Sequence, residues 1–594
     1  MELKGRKNAD PGYMWDLADI FPDTDAWDRE YKALESGIPA IAAMKGTLGQ
    51  SADSLFQALE ALYAYEERLE RLYIYAMLNK SGDNGDPEAQ AMEDRATNLC
   101  VQAGAASSYF MPEVLEIPAE TLASYRAGGL LDKYAFILDN MERNRAHTLD
   151  EARENMLALL SDAAGTPDNA FTMLESVDMK FPSMLDENGE EITITHGNFG
   201  VLRESRDARV RRESFEKYFG EFKKYLNTFA AMYAGSVKFD TFYAIVRNFP
   251  SARAKALFSG NVPLSVYDNL IEATHRSLSS MRKYIELRKR ALGIGELHMY
   301  DLYVPMVPEV EYHIPYEEAQ SIVKEALRPL GEDYAALLDK AFTRDWIDVY
   351  ENAGKTTGAF SCGVYGVHPY VLLNYTDTLE DVFTVAHELG HAMHSYKSAE
   401  ANPFCTHDYR IMVAEVASTV NEVLLLKYLL TKETAPERRA YLLNRYLEGF
   451  RTTFFRQTLF AEFEHRTHEM QQKGEPLTAQ SMNKLYRELN ELYYQGAVID
   501  DLQDIEWARI PHFYRGFYVY QYATGYASAV QIASHILESG DASDYLRFLT
   551  TGGSDYPLEE LKIAGVDLTK SDTVDNALRV FDETVDELSK LLNV

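Results

Sequence analysis

The sequence predicts a mostly α-helical protein with about two to four domain-sized lobes. Apolar residues recur at steps of three and four along much of the chain, which is the pattern of amphipathic helices. One such run extends from Leu55 to Ala76 and ends where residues 81–87 bring together Ser, Gly, Asn and Pro. Strand patterns are few. The length of 594 residues also exceeds what one hydrophobic core normally supports.

The first strand pattern marks the boundary between two predicted domains. Asn188-Gly189 favours a tight turn, and the alternating residues Ile192 to Thr195 that follow are typical of a short strand. We therefore expect a helical N-terminal lobe over residues 1–190 and a mostly helical domain over residues 191–594, which carries the chemistry described below.

The second strand pattern lies directly before the strongest motif of the chain. Residues 358–361 and 371–375 are apolar and β-prone, and they flank a turn that contains Gly, Pro and His. We expect these two segments to form a small β-sheet next to the helix that follows.

That helix carries two histidines and a glutamate at metal-site spacing. Thr378 and Asp381 predict a capping box, so a helix should run to about Tyr396. His387 and His391 are four residues apart and share one face, where both imidazoles can bind a single Zn²⁺ ion. Glu388 projects beside them and can act as a general base toward a metal-activated water. His394 is expected to pack beside this group, because another protein ligand would close the position that catalysis needs open.

A third ligand is expected from the next helix. Glu415 stands among small and apolar residues, where an unpaired carboxylate would be costly, so it is the predicted ligand. Glu422 lies seven residues later on the same face. It either orients a ligand histidine or is a solvated surface charge.

Composition excludes several classes of function. The 59 Lys and Arg residues against 92 Asp and Glu give a net charge of −33, which would repel nucleic acid and anionic membranes. The three cysteines, Cys100, Cys362 and Cys405, are too few and too widely spaced for a disulfide framework or a cysteine-rich metal site. With no signal-peptide pattern at the N-terminus and no long apolar stretch, a cytoplasmic protein is expected.

These motifs resemble the oligoendopeptidase F branch of the thimet oligopeptidase family of zinc peptidases. The resemblance is carried by residues 387–395, 414–418, 358–361, 372–375 and 15–21, and it covers nearly the whole chain. It implies a helical, bowl-like zincin fold with a deep substrate channel. It also implies that His387, His391 and Glu415 hold one zinc ion and that Glu388 is the general base.

A tyrosine-rich segment near the C-terminus is the second candidate site. If residues 514–526 were helical throughout, four tyrosines at steps of four would line one stripe: Tyr514, Tyr518, Tyr522 and Tyr526. Such a stripe is ordinarily core packing, but neutral donors opposite a metal would also stabilise the oxyanion of amide hydrolysis. The resemblance implies His and Tyr donors here, which His512, Tyr514 and Tyr522 match best; Tyr518 and Tyr520 remain alternatives.

The sequence thus predicts a zinc-dependent endopeptidase that hydrolyses internal bonds of short unfolded peptides. Residues 358–361 are expected to supply an edge strand that pairs with the peptide backbone. Two alternatives stay open. One is a zinc carboxypeptidase on a similar helical scaffold, and the other is a catalytically inactive helical peptide-binding protein.

Overall fold

The structure, a computed structural model, describes residues 3–308, 310 and 312–594. It is 71% helical with only small sheets, which confirms the predicted fold class. None of the helices in this described part of the chain combines the length and the apolar character needed to span a membrane. The three cysteines are all free.

The chain divides into two compact units, each assembled from three separate segments. Unit 1 comprises Met1–Ala146, Glu311–Tyr428 and Ile532–Gly565, and unit 2 comprises His147–Val310, Leu429–Gln531 and Val566–Val594. This division differs from the predicted boundary after residue 190. Local sequence patterns locate turns, whereas compact units are defined by contacts between segments far apart in the chain.

Unit 1 contains the longest helices and a three-stranded sheet. Its principal helices are Thr24–Ala43, Ala52–Gly82, Pro87–Ser107, Phe110–Glu116, Ala119–Arg126, Ala135–Asn144, Tyr316–Ala326, Glu332–Thr343, Leu379–Ala401, Ser543–Phe548 and Pro557–Ile563. The helix Ile411–Lys432 begins in this unit, and Tyr520–Ser539 ends in it. The predicted helix around Leu55 to Ala76 is confirmed: it starts after the N-cap Ser51 and ends at Gly82, before the polar turn.

The described residues of unit 2 are mainly helical and contain one β-hairpin. Its principal helices are Glu151–Ala164, Thr166–Thr172, His196–Glu204, Ala208–Lys224, Leu226–Val246, Ala252–Phe258, Leu264–Arg276, Leu278–Leu292, Pro436–Gly449, Arg456–Gln472, Ala479–Tyr493 and Asp572–Leu592. The hairpin pairs strand β1 (Ser183–Leu185) antiparallel with β2 (Glu191–Thr193), with Met184 opposite Ile192. Gly189 in the turn has φ +82°, so the predicted Asn-Gly turn is confirmed.

The predicted sheet before the histidine motif is also present in unit 1. Strand β4 (Phe360–Cys362) pairs antiparallel with β5 (Tyr370–Leu372), as expected. A third strand, β3 (Ile347–Asp348), pairs parallel with β5 and was not predicted, because two residues are too short for a recognisable pattern. The strand order β3-β5-β4 leaves β4 at an edge of the sheet.

Candidate active site

Two adjacent helices of unit 1 hold the predicted metal ligands. The first, here called the His helix, is Leu379–Ala401. It begins at a complete capping box in which Thr378 accepts from the Asp381 amide and Asp381 accepts from the Thr378 amide. The helix therefore starts where predicted and ends five residues later than predicted. On its inner face the Nε2 atoms of His387 and His391 lie 3.2 Å apart.

The second helix, Ile411–Lys432, is here called the Glu helix and brings Glu415 to the two histidines. Glu415 Oε2 lies 3.5 Å from His387 Nε2 and 3.6 Å from His391 Nε2. A tetrahedral zinc ion with bonds of about 2.0–2.2 Å separates its ligand atoms by about 3.3–3.6 Å. The observed separations of 3.2, 3.5 and 3.6 Å lie within about 0.1 Å of that range, so the three donors fit a zinc ion and leave a fourth position open.

Close packing of the two helices depends on Gly390. A Cβ atom at this position would lie 2.5 Å from Ser418 Cα and 2.7 Å from the Ala417 carbonyl oxygen, so only glycine permits this approach. Asn421 of the Glu helix donates to the Ala386 carbonyl at 3.0 Å. Together these contacts fix the distance between the two helices, and with it the distance from Glu415 to the histidines.

Two further contacts orient the ligands. Nδ1 of His387 lies 2.7 Å from Glu422 Oε1, and a carboxylate can only accept, so Nδ1 carries the proton and Nε2 keeps a free lone pair. Ser418 Oγ donates to Glu415 Oε2 at 3.2 Å. Of the two interpretations of Glu422, the structure thus favours orientation of a histidine over a solvated surface charge.

The electrostatics of the cluster suit a bound cation. The neighbouring imidazole of His391 lowers the pKa of Glu415 to about 2 against the opposing effect of burial. Burial alone would lower the pKa of His387, but the hydrogen bond and charge of Glu422 outweigh it and raise that pKa. The side chain of Glu415 is 42% exposed, so its apolar sequence neighbours do not enclose it, and its role as a ligand stays a prediction that its distances to the two histidines support.

Glu388 lies between the two histidines in sequence and is only 7% exposed. Burial raises the pKa of its carboxyl, with the charges of His387 and His391 acting in the opposite direction. A carboxylate whose pKa is raised is a stronger base than one in water, which is the property that a general base requires.

His394 packs away from the metal ligands. Its ring stacks on that of Tyr409 at a centroid distance of 3.7 Å, and the residue is fully buried. Burial lowers its pKa to about 3, so the ring is neutral. This agrees with the expectation that His394 packs beside the site and is not a further ligand.

The aromatic candidates lie in unit 2, where three of them form one cluster. The ring centroid of His512 is 6.2 Å from that of Tyr518 and 5.9 Å from that of Tyr522, and the two tyrosine rings are 5.4 Å apart. We call His512, Tyr518 and Tyr522 the aromatic cluster. Tyr514 is not part of it, because its ring packs against Phe171 at 4.7 Å.

The continuous tyrosine stripe that an unbroken helix would give is not present. Residues 511–514 form a short 3₁₀ turn, and the following helix begins only at Tyr520. Phe517 adopts a left-handed backbone with φ +60°, which a helix cannot contain. Of the four tyrosines, only Tyr522 and Tyr526 therefore share a helix.

Sequence reasoning missed three residues that build the metal site: Gly390, Ser418 and Asn421. Gly390 did carry a signal, because a glycine inside a helix costs about 1 kcal/mol relative to alanine and usually marks a close approach. The other two residues are ordinary polar residues in sequence, and only the contact between the helices reveals them.

Comparison with known proteins shows which family the chain resembles. A profile described as Peptidase family M3 matches residues 201–580, and one described as Oligopeptidase F matches residues 113–181. Oligopeptidase PepF of Bacillus subtilis is 42% identical to this chain, and the match covers 100% of this chain and 89% of the relative. Group B oligopeptidase PepB of Streptococcus agalactiae is 38% identical over 99% of this chain and 98% of its own.

Solved structures show the same relationship. The crystal structure of oligoendopeptidase F from Enterococcus faecium matches with a TM-score of 0.74 and 35% identity, covering 96% of this chain and 99% of its own. A Chlamydophila abortus protein matches with a TM-score of 0.94 and 34% identity, covering 99% of this chain and 100% of its own. The chain therefore belongs to peptidase family M3 and is a metalloendopeptidase of the oligopeptidase F type.

Proposed function

We propose that the protein is a zinc-dependent endopeptidase that hydrolyses internal bonds of short unfolded peptides, with one zinc ion held by His387, His391 and Glu415. The observation that carries this proposal is the set of three separations between the ligand atoms, 3.2, 3.5 and 3.6 Å. Two neutral imidazoles and one carboxylate at these distances are the donor set of a catalytic zinc site with one open position.

Glu388 has the role of general base in this proposal. A zinc ion in the site would polarise the scissile carbonyl and lower the pKa of a water molecule in the open position. Glu388 takes a proton from the attacking water and delivers it to the leaving amine. Its buried carboxyl and raised pKa support both transfers, because the group can be deprotonated in one step and protonated in the next.

The aromatic cluster of unit 2 is proposed to supply oxyanion donors. His512 and Tyr522 keep the role that the sequence predicted, and Tyr518 is added because its ring contacts both of them. Tyr514 remains a prediction of the sequence, and its packing against Phe171 argues against it. Neutral hydroxyl and imidazole groups stabilise a developing oxyanion without burying another charge.

Recognition of the peptide backbone is assigned to strand β4. It lies at an edge of its sheet, where backbone groups on one side have no neighbouring strand within that sheet. An extended peptide can add to such an edge by main-chain hydrogen bonds, which are independent of side-chain identity.

The oligopeptidase names of the relatives support short peptides as the substrate class. The net charge of −33 supports the absence of nucleic acid and membrane partners. The cytoplasmic location stays a prediction.

A peptide blocked at both termini tests the endopeptidase activity. We expect the protein to cleave an acetylated, amidated peptide of about ten residues at an internal bond, to lose this activity with a chelator, and to regain it with zinc. Cleavage of the unblocked peptide alone would instead support the carboxypeptidase alternative. Absence of any cleavage by zinc-loaded protein would support the inactive peptide-binding alternative.

A further inference from the structure

A cationic cavity adjoins the aromatic cluster in unit 2. It has a volume of about 330 Å³, and its lining includes Asp240, Lys255, Arg515, Gly516, Tyr518 and Gln521. Tyr518 belongs both to this lining and to the aromatic cluster, so the cavity lies directly beside the proposed oxyanion donors. We call it the Lys255 pocket.

Two cations in the Lys255 pocket lack a carboxylate partner. In the part of the chain that the structure describes, neither Lys255 nor Arg515 has a carboxylate oxygen within ion-pair distance. Burial lowers the pKa of Lys255, with the charge of Asp240 opposing it, so the ammonium group is partly desolvated. Burial lowers the pKa of His512, and the positive charge of Arg515 lowers it further. Arg515 therefore lies near the aromatic cluster.

The turn that carries Arg515 is held in a defined conformation. A Cβ atom at Gly516 would lie 2.8 Å from Asp240 Oδ2, so the turn passes close to this carboxylate. The amide of Phe517, in its left-handed conformation, donates to the buried Glu464 Oε1 at 2.7 Å. The Glu464 carboxyl thus holds the backbone of this turn at Phe517.

Asp240, the one carboxylate in the lining, also contacts His468. Nδ1 of His468 lies 2.8 Å from the Glu464 carbonyl oxygen and must donate to it, while Nε2 lies 3.2 Å from Asp240 Oδ2. The two cations of the lining, Lys255 and Arg515, outnumber its one carboxylate, Asp240.

We propose that the Lys255 pocket binds a carboxylate of the peptide substrate, in the first place its C-terminal α-carboxylate. This inference rests on the proposed peptidase function. A short peptide has only two kinds of carboxylate, the terminal group and the side chains of Asp and Glu. Two cations in the lining of one pocket are suited to either, and Tyr518 and Gln521 add neutral hydrogen-bond donors. The pocket would therefore favour peptides whose free end or acidic residue reaches the aromatic cluster.

Matched peptides test the proposal in the full-length zinc-loaded enzyme. Three N-acetylated peptides of one sequence would be compared: a C-terminal free acid, a C-terminal amide, and an amide with Glu as its last residue. We expect KM for the free acid to be about tenfold lower than for the plain amide, with similar kcat. Lys255→Gln and Arg515→Gln should each raise KM for the free acid toward that of the plain amide. Lys223→Gln, an exposed change of equal charge in unit 2, should leave the difference intact.

The Glu-terminated amide identifies the source of the carboxylate. A low KM for it, lost in the two pocket variants, supports side-chain carboxylates as ligands, whereas a KM equal to that of the plain amide supports the α-carboxylate. Equal KM values for all three peptides, or a preference that survives both pocket variants, would overturn the proposal. Because the plain amide reports on hydrolysis itself, such a result would leave the proposed peptidase function standing.

Discussion

Glu422 Oε1 lies 2.7 Å from His387 Nδ1 and so fixes which nitrogen of that histidine faces the metal position. Removing the carboxylate frees the ring to rotate and to change tautomer. We expect Glu422→Ala to weaken zinc binding about 10- to 100-fold and Glu422→Gln to weaken it less, because an amide oxygen still accepts the Nδ1 proton. Competition with a chelator of known affinity measures this. Wild-type affinity in Glu422→Ala would show that Glu422 does not orient His387.

Gly390→Ala should weaken both the fold and the metal site. The added Cβ would lie 2.5 Å from Ser418 Cα, so the His and Glu helices must separate. We expect a loss of about 1–3 kcal/mol in the free energy of unfolding together with weaker zinc binding. Gly104→Ala is the matched control in unit 1, because Gly104 is also helical but exposed, with no atom within 4 Å of an added Cβ. It should be neutral or stabilising by up to about 1 kcal/mol. Equal effects of the two substitutions on zinc affinity would contradict this account.

The sequence and the structure favour different tyrosines as oxyanion donors: the sequence favours Tyr514 and Tyr522, and the structure groups Tyr518 with Tyr522. We expect Tyr518→Phe and Tyr522→Phe each to lower kcat by on the order of 100-fold with little change in KM, because each removes one oxyanion donor. Tyr514→Phe should stay within about twofold of the wild type, since its ring packs against Phe171. Steady-state kinetics with a blocked peptide measure all three. A large loss in Tyr514→Phe with none in Tyr518→Phe would restore the assignment made from sequence.

Glu560 gives the protein a pH-dependent stability. The residue is 1% exposed, and burial raises its pKa from 4.5 to about 8. Because the folded state holds the Glu560 proton more tightly than the unfolded state, the protonated carboxyl adds to the free energy of unfolding. This stabilisation is complete below about pH 4.5. It is lost as the pH rises to about 8, at a slope of about 1.4 kcal/mol per pH unit. Above about pH 8 the loss levels off.

Glu560→Gln, which stays neutral, should remove this decline. Thermal unfolding at matched zinc content measures this. The Tm of Glu560→Gln minus the Tm of the wild type should increase as the pH is raised from 5 to 8. Glu559→Gln, an exposed neighbour on the same helix, serves as the control and should follow the wild type. Parallel curves for Glu560→Gln and the wild type would contradict the raised pKa.

Features encoded by local spacing could be predicted from the sequence. His387 and His391 share a face because of helical periodicity, and Asn188-Gly189 predicts its own turn. The packing of Gly390 against Ser418 could not be predicted, because it joins residues on two different helices. The break at Phe517 could not be predicted either, since its left-handed backbone is held by Glu464, more than fifty residues earlier in the chain.

The division into units is the clearest case of this limit. Each unit is assembled from three segments, so no single stretch of sequence marks its boundary. The family resemblance supplied what local spacing lacked, namely the likeness of nearly the whole chain to oligoendopeptidase F, which the comparisons confirm.

The most direct test of the account is hydrolysis by Glu388→Gln at known zinc content. Gln keeps the shape of the side chain but cannot take a proton from water, and it leaves His387, His391 and Glu415 in place. We expect one zinc ion per chain in both proteins and a loss of at least about 100-fold in kcat for Glu388→Gln. Glu400→Gln, at an exposed position of the same helix, should retain full activity. Wild-type protein that hydrolyses peptides without zinc, or a zinc-loaded Glu388→Gln that does so at the wild-type rate, would contradict the account.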